Sequence, residues 1–345
     1  MLAAMRATVR DVAARAGVSP KTVSNVINGI VPVRPETKTR VEAALAELDY
    51  VPNMSARGLR NGRSGNIALA LPDLSTAYSA ELARWFVELA HERGWAIQLE
   101  QSGSDPQREV ELVSRARTHL VDGLVLNPTL LSMSVVAGMT ELPPTVVIGE
   151  VEPHGVDLVH VDSLAAAREL TAHLLATGHR RIAIVGGSGA RFRSATSQLR
   201  QQGYCEALDA AGIRIDPELN IVATEWTSAA AAAEFAAFLD RIAASGGELP
   251  DAVFCFTDSM ALGVLHVLAG RGIRVPADMS VVGFDDIAEA AYAIPALTTV
   301  GFDKRQIADA ALTALEKRIA DRHAPGSDIV IPHELVHRDS VATRA

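Results

Sequence analysis

Three aspartates stand where short apolar runs end. Asp73 follows Asn66 to Leu71, Asp258 follows the run Val253-Phe254-Cys255-Phe256 through Thr257, and Asp285 follows Val281-Val282-Gly283-Phe284. An ionised carboxylate only accepts hydrogen bonds, so a set of them at strand ends suits a ligand rich in hydroxyl donors. Aromatic side chains near the same places, Tyr78, Trp226 after Ile221-Val222-Ala223, and Phe302, can cover the C–H face of a sugar ring, although each also reads as a wall or core residue. Asp258 has two readings, ligand contact and helix cap, because Thr257-Asp258-Ser259 leads into a helical stretch.

A second set of polar residues lies near the start of the chain. Pro20, Lys21, Thr22, Ser24, Asn25 and Asn28 fall on the exposed side or leading end of one short amphipathic helix. Asn can pair in bidentate fashion with adenine and Lys can donate to guanine, so Lys21 and Asn25 are the expected base readers; Thr22, Ser24 and Asn28 suit phosphate. Local charge agrees. Residues 1–63 carry ten Lys and Arg against five Asp and Glu, a balance of +5, whereas the remainder carries 22 against 36, and the whole chain is −9. A basic head on an acidic body lets one end meet polyphosphate.

Other chemistries find no constellation. Cys205 and Cys255 read as two buried thiols without CxxC geometry, and Gly186-Gly187-Ser188-Gly189 lacks both the phosphate-loop lysine and the dinucleotide spacing, so it reads as a tight turn. No nucleophile, base and orienter occur together, and no catalytic residue, metal or cofactor is expected. No apolar run approaches the roughly 18–20 residues of a membrane span. The first six residues lack the pattern of a secretory signal, which leaves the cytoplasm as the expected compartment.

The elements that must position these residues fall into three regions. Thr8 can cap a helix over Val9 to Ala16, Gly17 stops it, and Ser19-Pro20 opens a second helix to about Asn28; a third runs from Pro35-Glu36 to about Leu48. Helices so closely joined across Ala16-Gly17-Val18-Ser19 make the helix-turn-helix pattern, here over residues 1–52. Residues 53–64 read as a two-turn helix capped by Asn53, too short to be stable unless something packs on it, and carrying Arg57, Leu59 and Arg60. From Gly65 to 345, β-rich runs alternate with helices such as Ser79 to Arg93 and Ser259 to Arg271, which predicts doubly wound parallel sheets with ligands bound beyond the strand ends.

Thr8-Val9-Arg10-Asp11-Val12-Ala13, Ala16-Gly17-Val18-Ser19, Thr22-Val23-Ser24-Asn25-Val26-Ile27-Asn28 and Ala56-Arg57-Gly58-Leu59-Arg60 together resemble the LacI/GalR repressor family. The resemblance implies an all-α head with a hinge helix on a periplasmic-binding-protein-like body of two lobes: about 65–161 with 292–323, and about 162–291 with 324–340. It implies that Leu59 wedges into the minor groove, flanked by Arg57 and Arg60, with Arg10 also among the DNA-contacting residues. It adds Arg200, in Ser197-Gln198-Leu199-Arg200, to an effector set of Asp73, Tyr78, Trp226, Asp258, Asp285 and Phe302. Thr257, where asparagine is common, and Phe302, where some relatives carry a polar residue, depart from the family pattern. The function so implied is a homodimeric repressor of a pseudo-palindromic operator, controlled by a small molecule, most naturally a carbohydrate. Without a leucine heptad after Ile329-Val330-Ile331-Pro332, a tetramer is not expected. The alternatives are a sugar-binding protein or α/β enzyme that does not bind DNA, and a regulator that answers only to a protein partner.

Overall fold

A computed structural model describes residues 7–28, 31–50, 63–103, 105–117, 121–128, 142–150, 156–188, 194–223 and 225–344, with the backbone alone at 28, 106 and 115–117. The chain divides into two compact units, Met1–Ser64 and Gly65–Ala345. The expected helix bearing Arg57, Leu59 and Arg60 lies outside the described residues.

The first unit holds three helices, α1 (Val9–Ala16), α2 (Pro20–Asn28) and α3 (Pro35–Glu47). Local chemistry sets their ends. Thr8 and Asp11 form a reciprocal capping box, and Gly17 closes α1 with φ +63°, a conformation that costs glycine no Cβ clash. Ser19 Oγ accepts the amide of Thr22 at 3.1 Å and so caps α2. The apolar stripe predicted from helical spacing closes a miniature core of Val12, Ala13, Ala16, Val23, Val41 and Ala44. Arg15 and Glu47 join α1 to α3 across 2.6 Å at the surface.

The second unit is built on two parallel sheets. In the first, β1 (Asn66–Leu71), β2 (Ala96–Gln101), β3 (Gly123–Leu126), β4 (Thr145–Ile148), β5 (Asp157–Val161) and β11 (Asp328–Ile331) lie in the order β11-β5-β4-β3-β1-β2. Alternate side chains of β1 enter opposite faces: Ile67, Leu69 and Leu71 pack with the helices Ala77–Glu92 and Lys304–Ala320, while Ala68 and Ala70 pack with Leu112 and Val113. Burial on both faces is why β1, β3 and β4 read as continuous apolar runs. The second sheet runs β7-β6-β8-β9, from β6 (Ile182–Val185), β7 (Asn220–Ile221), β8 (Ala252–Cys255) and β9 (Ser280–Val282). The helices Ser163–Ala176, Ala195–Ala210, Ser228–Ser245 and Asp258–Gly270 complete that lobe.

The lobes exchange chain where the sequence did not place it. Residues 324–340 were expected in the second lobe. Instead Asp328–Ile331 pairs in parallel with Leu158–Val161 on the first sheet, because the crossover helix Lys304–Ala320 packs on that sheet and returns the chain to its edge. The chain then crosses back through β12 (His333–Val336), antiparallel to β10 (Thr299–Phe302), and its tail runs along β9, where the amide of Val281 donates to Ser340 O. Leu297 and Val300, expected with the first lobe, pack in the second core. Cys255 is buried as expected, whereas Cys205 is half-buried. Among the described residues no group of three or more His, Cys, Asp or Glu could hold a metal ion, and no helix is long and apolar enough to cross a membrane.

Candidate functional site

Each sheet reverses its strand order once, between β1 and β3 in the first and between β6 and β8 in the second. Loops leaving the carboxyl ends of strands diverge at such a point and open a crevice. A cavity of about 650 Å³ lies there, walled by both lobes. Asp73 after β1 and Tyr78 from Ala77–Glu92 line it from the first lobe. Arg200, Trp226 and Asp285 line it from the second, and Phe302 from the end of β10. Tyr78 and Phe302 meet edge to face at 6.2 Å and pack against the cores of both lobes, so they form the floor where the lobes join.

The polar centre of the cavity is the pair Arg200 and Asp285, both buried, with Nη2 and Oδ1 3.6 Å apart. Arg200 is fixed on several sides. Its Nε donates to Ser163 Oγ at 3.2 Å, its Nη1 donates to the carbonyl of Phe256, and its guanidinium lies 3.4 Å from the ring centroid of Phe284 and 5.8 Å from that of Trp226. Burial works against the charge of this guanidinium, and Asp285 and then Glu150 support it. Asp285 sits at φ +109°, unusual for a residue with a Cβ, and its amide donates to Val300 O at 2.9 Å. Burial pushes its carboxyl up to about 6, against the pull of Arg200 and Lys304. Burial, reinforced by Asp285, likewise raises the Tyr78 phenol, which stays protonated as a hydrogen-bonding group. Together these groups can clamp adjacent hydroxyls and stack against an apolar ring face.

Six of the seven residues predicted for this site line the cavity. Asp258 does not. It is fully buried, Oδ2 accepting the amide of Ile287 at 2.9 Å and Oδ1 the hydroxyl of Thr299 at 2.6 Å, and burial raises its carboxyl well above the carboxylate range. Nor is it the helix cap, since Thr257 Oγ1 takes the amide of Met260. The carboxylate turns inward to tie the segment after β9 to β10. Sequence reading missed Asn127 and Glu150, which follow β3 and β4 on the cavity wall. The rule that found Asp73, a polar residue just past a buried strand, marks both of them.

In the head, the leading end of α2 carries Pro20 and Lys21 exposed, with Thr22, Ser24 and Asn25 half-buried, while Val23 points into the core. Arg10, near the start of α1, is exposed. Asn28 ends α2, and its side chain lies outside the description. The helix start offers positive dipole and basic charge on the side away from the core, as a groove-reading helix requires.

A helix-turn-helix head and a two-sheet body of the periplasmic-binding-protein kind define a class, the DNA-binding transcription regulators. Residues 8–53 match the pattern of bacterial regulatory proteins of the lacI family, and residues 171–341 match a periplasmic binding protein-like domain. The chain is 33% identical to the HTH-type transcriptional regulator DegA of Bacillus subtilis, over 98% of this chain and 99% of that one. The Lac repressor dimer bound to operator and the anti-inducer ONPF superposes with a TM-score of 0.82 at 27% identity, covering 97% and 99% of the two chains. The complex of transcriptional regulator CelR with cellobiose gives 0.69 at 31% identity, covering 97% and 100%. The protein belongs to the lacI family of bacterial regulatory proteins and is a DNA-binding transcriptional regulator. Its curated relatives are regulators, not enzymes.

Proposed function

We propose that this protein is a homodimeric, cytoplasmic repressor whose affinity for a pseudo-palindromic operator is set by a carbohydrate or carbohydrate-like effector held between the lobes. Residues 1–52 are the reading head, 53–64 the hinge, and 65–345 the effector-binding and dimerisation body. The observation that carries the reading is the buried Arg200–Asp285 pair facing a cavity floored by Tyr78 and Phe302 and flanked by Trp226. Asp73 completes the proposed effector set. Arg10, Pro20, Lys21, Thr22, Ser24, Asn25 and Asn28 are the proposed DNA contacts of the head, with Arg57, Leu59 and Arg60 those of the hinge. The CelR–cellobiose complex supports the ligand class, and the operator-bound Lac repressor dimer supports two symmetric heads.

The test is operator selection from random duplexes with purified protein. It is followed by binding in a salt series with and without a panel of sugars and nucleosides. Expected are one enriched palindrome, an affinity that falls steeply with salt, and a sugar that changes it by roughly 5–150-fold. Enrichment of no sequence would remove the DNA reading. A response confined to nucleosides would remove the carbohydrate one.

A further inference from the structure

Lys304 is placed where a cation is costly. It is 7% exposed and opens the helix Lys304–Ala320, at the positive end of the helix dipole. A buried ammonium persists only with its donors engaged, and these are: Nζ lies 3.1 Å from Glu81 Oε2 and donates to the carbonyls of Asp285 at 2.6 Å and Asp286 at 3.0 Å. The other carboxylate oxygen of Glu81 accepts the amide of Ala288 at 2.7 Å. Glu81 and Lys304 belong to the two helices packed on the first sheet, whereas 285–288 is the segment leaving β9 of the second. Two side chains of one lobe therefore grip three backbone groups of the other.

The gripped segment is conformationally costly in its own right. Asp285 and Asp286 both have left-handed φ, +109° and +48°, without being glycine, and such a backbone persists where its surroundings over-determine it. The second lobe supplies part of that restraint: Asp258 takes the amide of Ile287, and Arg338 pairs with Asp286 at 2.7 Å. The first lobe supplies the rest. Tyr78, a wall of the cavity, lies three residues before Glu81 on the same helix and hence on the same face.

We propose that Lys304 and Glu81 are a positioning pair that locks the strained 285–288 segment to the first lobe, so that the aim of the Asp285 carboxylate into the cavity depends on the contact between lobes. The inference deepens the effector reading and rests on it for the cavity's purpose, but its test needs no ligand.

The full chain is labelled at the side-chain carboxyl carbon of aspartate, and the Asp285 carbon resonance is assigned by its loss in Asp285→Asn and followed against pH. The charged and titratable groups around this carboxyl are Arg200, Lys304, Glu81, Tyr78, Glu150, Asp258, Asp286 and Arg338, and each remains in the wild-type control. Lys304→Met is expected to move the midpoint up from about 6, and Glu81→Gln to move it down, because the first removes a cation and the second an anion. Lys304→Arg is expected to restore most of the wild-type value. Faster amide hydrogen exchange across 285–288, with β8 unchanged, is expected in both Lys304→Met and Glu81→Gln. A midpoint that moves in neither, or in the same direction in both, overturns the proposal. If Lys304→Met fails to fold, Glu81→Gln and Lys304→Arg still decide it. A panel without any active sugar would remove the carbohydrate reading and leave this titration result standing.

Discussion

Asp285→Asn is expected to stabilise the protein at neutral pH, although it removes one partner of a buried ion pair. The wild-type carboxyl titrates at about 6 in the folded chain against an ordinary 3.8, and burial outweighs the attraction of Arg200 and Lys304. At 1.36 kcal/mol per pKa unit, keeping this group ionised at pH 7.5 costs the folded state about 3 kcal/mol. The sign follows from the raised folded pKa. The unfolded chain releases its proton near pH 4 and the folded chain near pH 6, so the stability this group contributes at low pH is lost as the pH rises between them. Asparagine keeps the shape and an acceptor for Arg200, and Lys304 still holds the main-chain carbonyl at 285. Urea denaturation of wild type and variant at pH 4, 5, 6 and 7.5 is the assay. The variant's advantage should be near zero at pH 4 and grow to about 1–3 kcal/mol by pH 7.5, after discounting for relaxation around the buried pair. A variant less stable than wild type at pH 7.5, or an advantage independent of pH, would refute the argument that burial dominates this carboxyl.

Gly283→Ala drives a Cβ into Asp258 Oδ1, which must then leave the Thr299 hydroxyl; a loss of about 1–3 kcal/mol is expected in the same denaturation assay. Arg318 and Asp157 are buried at 2.8 Å, so Arg318→Met alone should cost about 3–5 kcal/mol, whereas Arg318→Met with Asp157→Leu should recover much of it, checked by a double-mutant cycle. In operator binding, Asn25→Ala should cost about 1–3 kcal/mol on the selected palindrome and leave binding to random duplex unchanged; equal losses on both would make Asn25 a phosphate contact.

Sequence by itself determined the head and the body's strand-helix alternation, because the forces that set them are local. Thr8 with Asp11, Gly17, and Ser19 before Pro20 fix helix ends within a few residues of themselves, and strands buried on both faces must be apolar along their whole length. Polar residues past such strands mark a crevice wall, which is how Asp73 and Asp285 were legible. The edge strand Ala96–Gln101 escaped because its outer face is exposed and its run is not apolar. Tertiary structure alone decided which marked residues converge. Asp258 turned inward because Thr299 and Ile287, from segments remote in sequence, offered it hydrogen bonds. Asp328–Ile331 joined the first sheet because a crossover helix carried it there. Lys304 and Glu81 look in sequence like ordinary charges on solvated helices, and only the tertiary fold, which brings Glu81 to the amide of Ala288 207 residues further along the chain, sets the pair against the 285–288 segment. Such pairings depend on where long crossovers return the chain, and no local propensity or spacing encodes that return.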